Sequence, residues 1–270
     1  MKKNILVLLV VFFGFSNVAL SAACSTADSG TSTTMELGNG SWCSVEPNYY
    51  AVTVYDMRLC LTEPIAPTSS SKIDLSSCQT VFSSSVGSLV KINNGSSSSL
   101  IGSITRPNNG SYQYGYLSIK KEFVIGDSRE YTLAAKDGNG GSGKYCATTS
   151  TASIAQCSST PITLTTSDYA TEALNDFGGD SYVATLTVDS DTIKAYLVGA
   201  NEHLSTSDDN NGYLLGVQTF STPVVITDDT GSMDTAFKVS TGMNIDTDDA
   251  AIPPLLHLFT GAFSTKITVQ

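Results

Sequence analysis

Apolar and polar residues alternate with period two through much of this chain, the signature of strands that bury one face. The first long run, YYAVTVYDMRLCL over Tyr49 to Leu61, keeps Val52 and Val54 in one phase and then shifts to Met57 and Leu59. That shift predicts a bulge near Tyr55-Asp56. Ser111 to Ile125 predicts a second long strand and Tyr182 to Val188 a third. Shorter strands are expected at Ile193 to Val198, Tyr213 to Phe220, Pro223 to Thr227, Asp234 to Val239 and Ala262 to Val269. Asn-Gly occurs five times, at Asn39, Asn94, Asn109, Asn139 and Asn211. Both residues tolerate the positive φ that two-residue hairpin turns demand. Helical signal is confined to Tyr169 to Phe177, with Asp168 as N-cap and Gly178 at the left-handed C′ position. The pattern predicts an all-β antiparallel sandwich with long loops and one short helix. A transmembrane barrel would need strands of about ten residues with a continuous apolar outer face and aromatic girdles. Gly/Ser-rich gaps and a terminal Gln270 argue against it.

The first 23 residues read differently. Lys2 and Lys3 precede an apolar run from Ile5 to Phe15, and small residues follow at Ala19, Ser21, Ala22 and Ala23. This is the pattern of a secretory signal peptide, with an apolar stretch too short to span a membrane. The rest, 24–270, reads as one elaborated domain in a secreted, periplasmic or cell-surface protein. Cys24 directly after Ala23 raises the alternative of a lipid anchor, but Ser21 stands where lipoprotein signals usually carry an aliphatic residue. The other cysteines are Cys43, Cys60, Cys78, Cys146 and Cys157, so six are available to pair in an oxidising compartment. Six allow 15 connectivities. The short spacings favour Cys24 with Cys43, Cys60 with Cys78, and Cys146 with Cys157. No CxxC and no zinc-type spacing is present.

Charge narrows the partners. The net charge is −11, and −13 once Lys2 and Lys3 leave with the leader. Such a chain repels phosphate backbones, which excludes nucleic acid as a partner. The acidity is uneven: residues 24–160 carry nine Lys/Arg and ten Asp/Glu, whereas 161–270 carry three and fifteen. A subdivision near 160 is the alternative to one domain.

Chemistry-bearing motifs are few. Gly138 to Lys144 imitates a phosphate-binding loop until Tyr145, where a hydroxyl should hold magnesium, and reads instead as a hairpin loop. Gly126-Asp127-Ser128 is like the nucleophile block of one esterase class, but His203 and His257 offer few ways to assemble Ser–His catalysis. No catalytic residue is assigned and the chain is read as not an enzyme. The acidic loops offer Ca²⁺-type oxygen ligands at Asp208, Asp209 and Asn211, and at Asp228, Asp229 and Asp234. Asp189 with Asp191, and Asp246 with Asp248-Asp249, flank further turns. The alternative is that these residues simply cap turns. No other cofactor is implied. Tyr112, Tyr114 and Tyr116 alternate along one strand and share a face. That face either stacks on glycan rings or another subunit, or is covered by a loop or second sheet.

Tyr50 to Leu59, a short strand expected at Ile73-Asp-Leu75, Leu100 to Ile104, Asn109-Gly-Ser-Tyr112 and Tyr114 to Ile119 follow one another in an order similar to secreted bacterial proteins of uncharacterised role. Those proteins have an immunoglobulin-like or prealbumin-like sandwich, and the resemblance covers about 24–125. It implies the fold and carries over no catalytic residue. The leader, the cysteines and the strand pattern together predict a secreted, non-catalytic surface or extracellular structural protein. An adhesin-like module or a filament or surface-layer subunit fits, self-associating or contacting other surface components. A glycan- or Ca²⁺-dependent binding module is the alternative, and a secreted hydrolase a more distant one. The strand at Ala262 to Val269 either pairs with a neighbouring subunit or closes its own sandwich.

Overall fold

The structure, a computed structural model, describes residues 22–24, 26–28, 33–35, 42–93, 99–151, 153–188, 190–247 and 253–270. Residues 1–21 of the expected leader lie outside them, as do Asn39-Gly40, Asn94-Gly95, Asp189 and Asp248-Asp249. Strands in chain order begin with β1 (Ala22–Ala23), β2 (Thr26–Asp28), β3 (Thr33–Met35), β4 (Trp42–Val45), β5 (Tyr49–Cys60) and β6 (Cys78–Asn93). Next come β7 (Ser103–Ile104), β8 (Gly110–Gly126), β9 (Ser128–Lys136), β10 (Ser142–Thr148), β11 (Ala155–Ser158), β12 (Ala170–Ala173) and β13 (Val183–Val188). The last six are β14 (Asp191–Val198), β15 (Tyr213–Ile226), β16 (Met233–Lys238), β17 (Met243–Thr247), β18 (Leu256–Thr260) and β19 (Ser264–Val269). The all-β, almost wholly antiparallel sandwich expected from the pattern is present.

One large sheet organises the rest, in the order β13-β14-β15-β8-β5-β6-β7, with β12 on β8 beyond the end of β15. The predicted bulge is present. Val54 pairs with Ser88 and Asp56 with Ser83, so Tyr55 faces the looped-out residues 84–87 of β6. Gly87 makes that loop possible at φ +80°, where a Cβ would also lie 2.4 Å from the Thr53 side chain. β6 itself escapes the sequence pattern because its serines and Gly87 dilute the alternation. Its long ladder with β5 supplies the order that periodicity does not.

A second layer covers one face of this sheet. β16 pairs with β19 and β17 with β18, in registers that differ by one residue: Lys238 faces Ser264 and Met243 faces Thr260. The two strand pairs are therefore successive parts of one long hairpin ribbon, bent at Gly242 and Gly261. β4 extends the β17 edge, and β9, β10 and β11 form a flanking sheet. Tyr50, Val52, Val54, Ile119, Phe123 and Ile125 of the large sheet pack against Met243, Ile245, Leu256 and Leu258 of the ribbon. The C-terminal strand thus closes its own sandwich on β16. Strands pair across residue 160 in several places, β8 with β15 and β4 with β17 among them, so the charge asymmetry does not mark a gap in the pairing.

Three expectations are corrected. The short helix over Tyr169 to Phe177 is absent: a 3-10 turn at Thr166–Asp168 leads into β12, whose Ala170–Ala173 pair with Glu122–Ile125 of β8. β8 outlasts β15 there, and its unpaired edge captures the segment, overriding local propensity. Asp168 closes the turn instead, its carboxylate accepting from the Thr165 amide at 2.8 Å and hydroxyl at 2.6 Å. Next, Tyr213 to Phe220 and Pro223 to Thr227 form the single strand β15, with a register shift against β8 between Thr219 and Val224. Finally, Ile73-Asp-Leu75 is not a strand; Asp74 makes one isolated bridge, to Ile65. Of the three described Asn-Gly pairs, Asn139-Gly140 alone turns a hairpin with positive φ, at +92° for the glycine, between β9 and β10.

The cysteines pair as neighbours: Cys24–Cys43, Cys60–Cys78 and Cys146–Cys157. Disulfides of this kind fit an extracellular or otherwise oxidising location. Among the described residues no helix is long and apolar enough to cross a membrane.

Candidate functional site: an apolar cavity between the layers

Register across the large sheet creates the site. Met57 pairs with Leu117, Leu117 with Gly216, Gly216 with Ala195, and Ala195 with Ala184. The rung shrinks from large to small side chains as it crosses from β5 to β13. The next rung on the same face runs Leu59, Gly115, Gln218, Ile193, Leu186. Gly115 leaves no void, because a Cβ there would meet the Phe220 ring at 2.7 Å. At Gly216 the nearest neighbour to an added Cβ is Ile193 at 4.0 Å. Over this small-residue floor lies a cavity of about 220 Å³. Its roof is the bend and start of β19, from Thr260 to Thr265, with Phe263 prominent, joined by Leu174 and Phe177 after β12. Phe177 stands in a tight turn closed by its amide to Ser181 O at 2.8 Å, with Gly178, Gly179 and Asp180 all at positive φ.

The polar groups on the wall are spent on the fold. Gln218, 6% exposed, donates to Asp191 Oδ2 and to Thr265 O, both at 2.7 Å. Its carbonyl accepts from the Thr265 amide at 3.0 Å and hydroxyl at 2.8 Å. This one side chain ties β14, β15 and β19 together. Asn244 accepts from Ser44 Oγ at 2.8 Å and donates to Thr260 O at 3.3 Å. Arg58 is ion-paired with Asp56 at 2.7 Å. The cavity wall is thus mainly apolar, and these polar groups are paired within the fold.

The residues singled out from sequence sit elsewhere. Tyr112 and Tyr116 are buried and Tyr114 partly so, which corrects the open-platform reading. Tyr116 packs with Cys60, Ile73, Tyr196 and Val198 beneath the loop that the Cys60–Cys78 bond closes. Burial pushes its phenol well above the ordinary range. Tyr112 packs with Leu59, Phe220 and Ile226, its hydroxyl donating to Asn108 O at 2.7 Å. The three tyrosines are thus divided between two clusters and do not form one stripe, which corrects the expected shared face.

The expected Ca²⁺ ligands are spread among separate turns. Asp208 and Asp209 lie in a 3-10 turn, where Asp208 accepts from the Tyr182 hydroxyl at 3.1 Å and Asn211 donates to Asn175 O. Asp228 accepts from Asn109 at 2.6 Å and Asp234 from Gln270 at 2.9 Å, while Asp229 lies beside Asp228 on an exposed turn. Among the described residues no three His, Cys, Asp or Glu side chains converge. The Asp127-Ser128 pair is likewise structural. Asp127, 1% exposed, accepts from the Asn48 amide at 3.0 Å and Arg129 at 2.9 Å. Burial raises its pKa, against the pull of Arg129 and the Asn48 amide. Ser128 Oγ donates to Ile162 O at 2.7 Å, whereas His257 is bound to Ser153 O at 3.1 Å. His203 sits in a turn whose amide reaches Asn201 at 3.1 Å. The phosphate-loop lookalike is the β9–β10 hairpin, braced by Asp137 accepting from Asn139 and Gly141 amides at 2.8 and 2.7 Å.

The cavity was missed in the sequence although it left a mark there. Gly115 and Gly216 interrupt two otherwise bulky strands, and a mid-strand glycine signals a close approach or a vacant site. Fold and cavity together define a disulfide-bonded β-sandwich with a partly open apolar cavity between its layers. No family model, curated protein or solved structure matches this chain.

Proposed function

We propose that this chain is an extracellular, non-catalytic binding protein whose inter-layer cavity holds an apolar ligand. The observation carrying this reading is the chamber of about 220 Å³. Its walls are apolar and it is partly open, so water inside finds few hydrogen-bond partners and an apolar ligand that displaces it is favoured. At Gly216 an added Cβ has open space, its nearest neighbour being Ile193 at 4.0 Å, yet the position is glycine. Export by a bacterium and an immunoglobulin-like or prealbumin-like strand arrangement belong to the same proposal.

The test is displacement of the neutral fluorescent probe N-phenyl-1-naphthylamine, with thermal unfolding alongside. Saturable fluorescence enhancement and a raised Tm are expected, because binding to the native state stabilises it. Gly216→Val removes both signals while the folded spectrum is retained. Absence of saturable probe binding by the native protein would refute the reading.

A second reading, an adhesin-like or filament or surface-layer subunit, is favoured by one observation. Val86, Ile101 and Ile104 are 85%, 78% and 73% exposed on the β6–β7 margin of the large sheet. Apolar edges of this kind invite strand addition by another chain. Negative-stain electron microscopy with and without millimolar Ca²⁺ decides it: regular fibres support the subunit, and dispersed particles in both conditions refute it.

A further inference from the structure

We propose that the ligand of this cavity is an anionic amphiphile whose head is held by Lys121, an inference that rests on the cavity being a binding site. Lys121 stands at the cavity margin. Its β8 neighbours Ile119 and Phe123 line the cavity, as does Leu174, whose amide donates to Lys121 O at 2.9 Å. Lys120 and Glu122 ion-pair with each other at 2.5 Å and so share one side of β8. Alternation turns Lys121 to the other side, that of Ile119 and Phe123. Its Nζ donates to Asn175 Oδ1 at 3.0 Å in an exposed bond, on the segment between the lining residues Leu174 and Phe177. An apolar tail in the cavity thus leaves its head beside a solvated ammonium.

The neighbouring charges are already engaged. Arg58 is paired with Asp56, and Glu122 with Lys120. Asp176 accepts from the Gly178 and Asp180 amides at 2.8 and 3.3 Å, and Glu172 from the Thr260 amide and from Ser153 Oγ at 3.2 Å. Lys121 takes part in none of the ion pairs among the described residues; its bond goes to a neutral carbonyl oxygen. An ammonium has three donors, so a carboxylate or phosphate oxygen can join without displacing Asn175.

The experiment displaces N-phenyl-1-naphthylamine from the folded, oxidised protein with octanoate, octyl phosphate, 1-octanol and octylamine. Lys121→Met is expected to weaken octanoate about fivefold, the upper end for an exposed charge pair, to weaken 1-octanol much less and to tighten octylamine. Lys121→Arg retains most of the octanoate affinity. Asn175→Ala binds octanoate no more weakly than the native protein, because the ammonium loses a competing acceptor. Whichever of octanoate and octyl phosphate loses more in Lys121→Met tells a carboxylate-headed source from a phosphate-headed one. Salt at about 1 M weakens octanoate relative to 1-octanol in the native protein, which keeps the test intact if the methionine variant does not fold. Equal losses for octanoate and 1-octanol in Lys121→Met, or a general loss in Asn175→Ala, make Lys121 a structural clamp and overturn the anchor. An identical salt response of octanoate and 1-octanol overturns it too. Failure of every octyl compound to displace a bound probe overturns the amphiphile alone, whereas failure of the probe itself to bind refutes the underlying reading.

Discussion

Gln218 is the side chain on which the cavity roof hangs, and its replacement is a sharp test of the architecture. Gln218→Leu keeps the volume and removes two donors and one twice-used acceptor. It leaves Asp191 Oδ2, Thr265 O and the Thr265 amide without their present partners. At about 1 kcal/mol for each partly buried orphan, the loss is about 3 kcal/mol. For a chain of this size, that lowers Tm by roughly 6–12 °C. Gln218→Glu separates hydrogen bonding from packing. At neutral pH it places a second carboxylate within bonding distance of Asp191, so the loss exceeds that of the leucine variant. The like-charge pair holds a folded-state pKa above the ordinary value of about 4.3 for glutamate. The deficit is therefore complete above that raised pKa and shrinks as pH falls through it, because the protonated carboxyl donates again. The assay is calorimetric Tm from pH 7 to pH 4 for the native protein and both variants. A glutamate deficit that does not narrow toward acid, or a leucine variant within 1 °C of native, would refute the clamp.

Three further predictions use other parts of the fold. Tyr131 is fully buried with no partner for its hydroxyl among the described residues, so Tyr131→Phe removes a desolvated polar group and raises stability by about 1 kcal/mol; a fall in Tm would show the hydroxyl is paired. Gly261→Ala sets a Cβ 1.9 Å from Thr241 O at the ribbon bend and costs about 3 kcal/mol, whereas Gly216→Ala, with open space, changes Tm little; equal effects in urea melts would sink the account of the bend. Burial alone would raise the pKa of Asp137, but amides of Cys157, Asn139, Gly141 and Gly140 outweigh it and hold the carboxyl below its usual value. Its contribution is thus present above the unfolded pKa and lost as pH falls through the folded one; Tm between pH 5 and 2 should drop less steeply in Asp137→Asn, and parallel curves would refute this.

What the sequence determined is what neighbours along the chain decide. Alternation marked β5, β8 and β13 because side-chain direction in a strand is a local property. The phase slip at Tyr55-Asp56 marked the bulge for the same reason. The disulfides were legible because 18 or 19 residues separate two of the pairs and 11 the third, so short loops brought them together. Local signals failed where a distant strand made the decision. Ala170–Ala173 became β12 because β8 outruns β15, a fact stored some fifty residues earlier. Tyr114 and Tyr116 of β8 do pack together beneath the loop across Cys60–Cys78, but Tyr112, read as sharing their face, packs in another cluster with Leu59 and Phe220, because the ladder with β15 shifts register between Thr219 and Val224. The cavity lies furthest from local reading. Met57, Leu117, Ala184, Ala195 and Gly216 are scattered in the chain, and only the registers of four ladders set them in one rung. A vacancy is a relation between facing surfaces, so tertiary structure alone could create it.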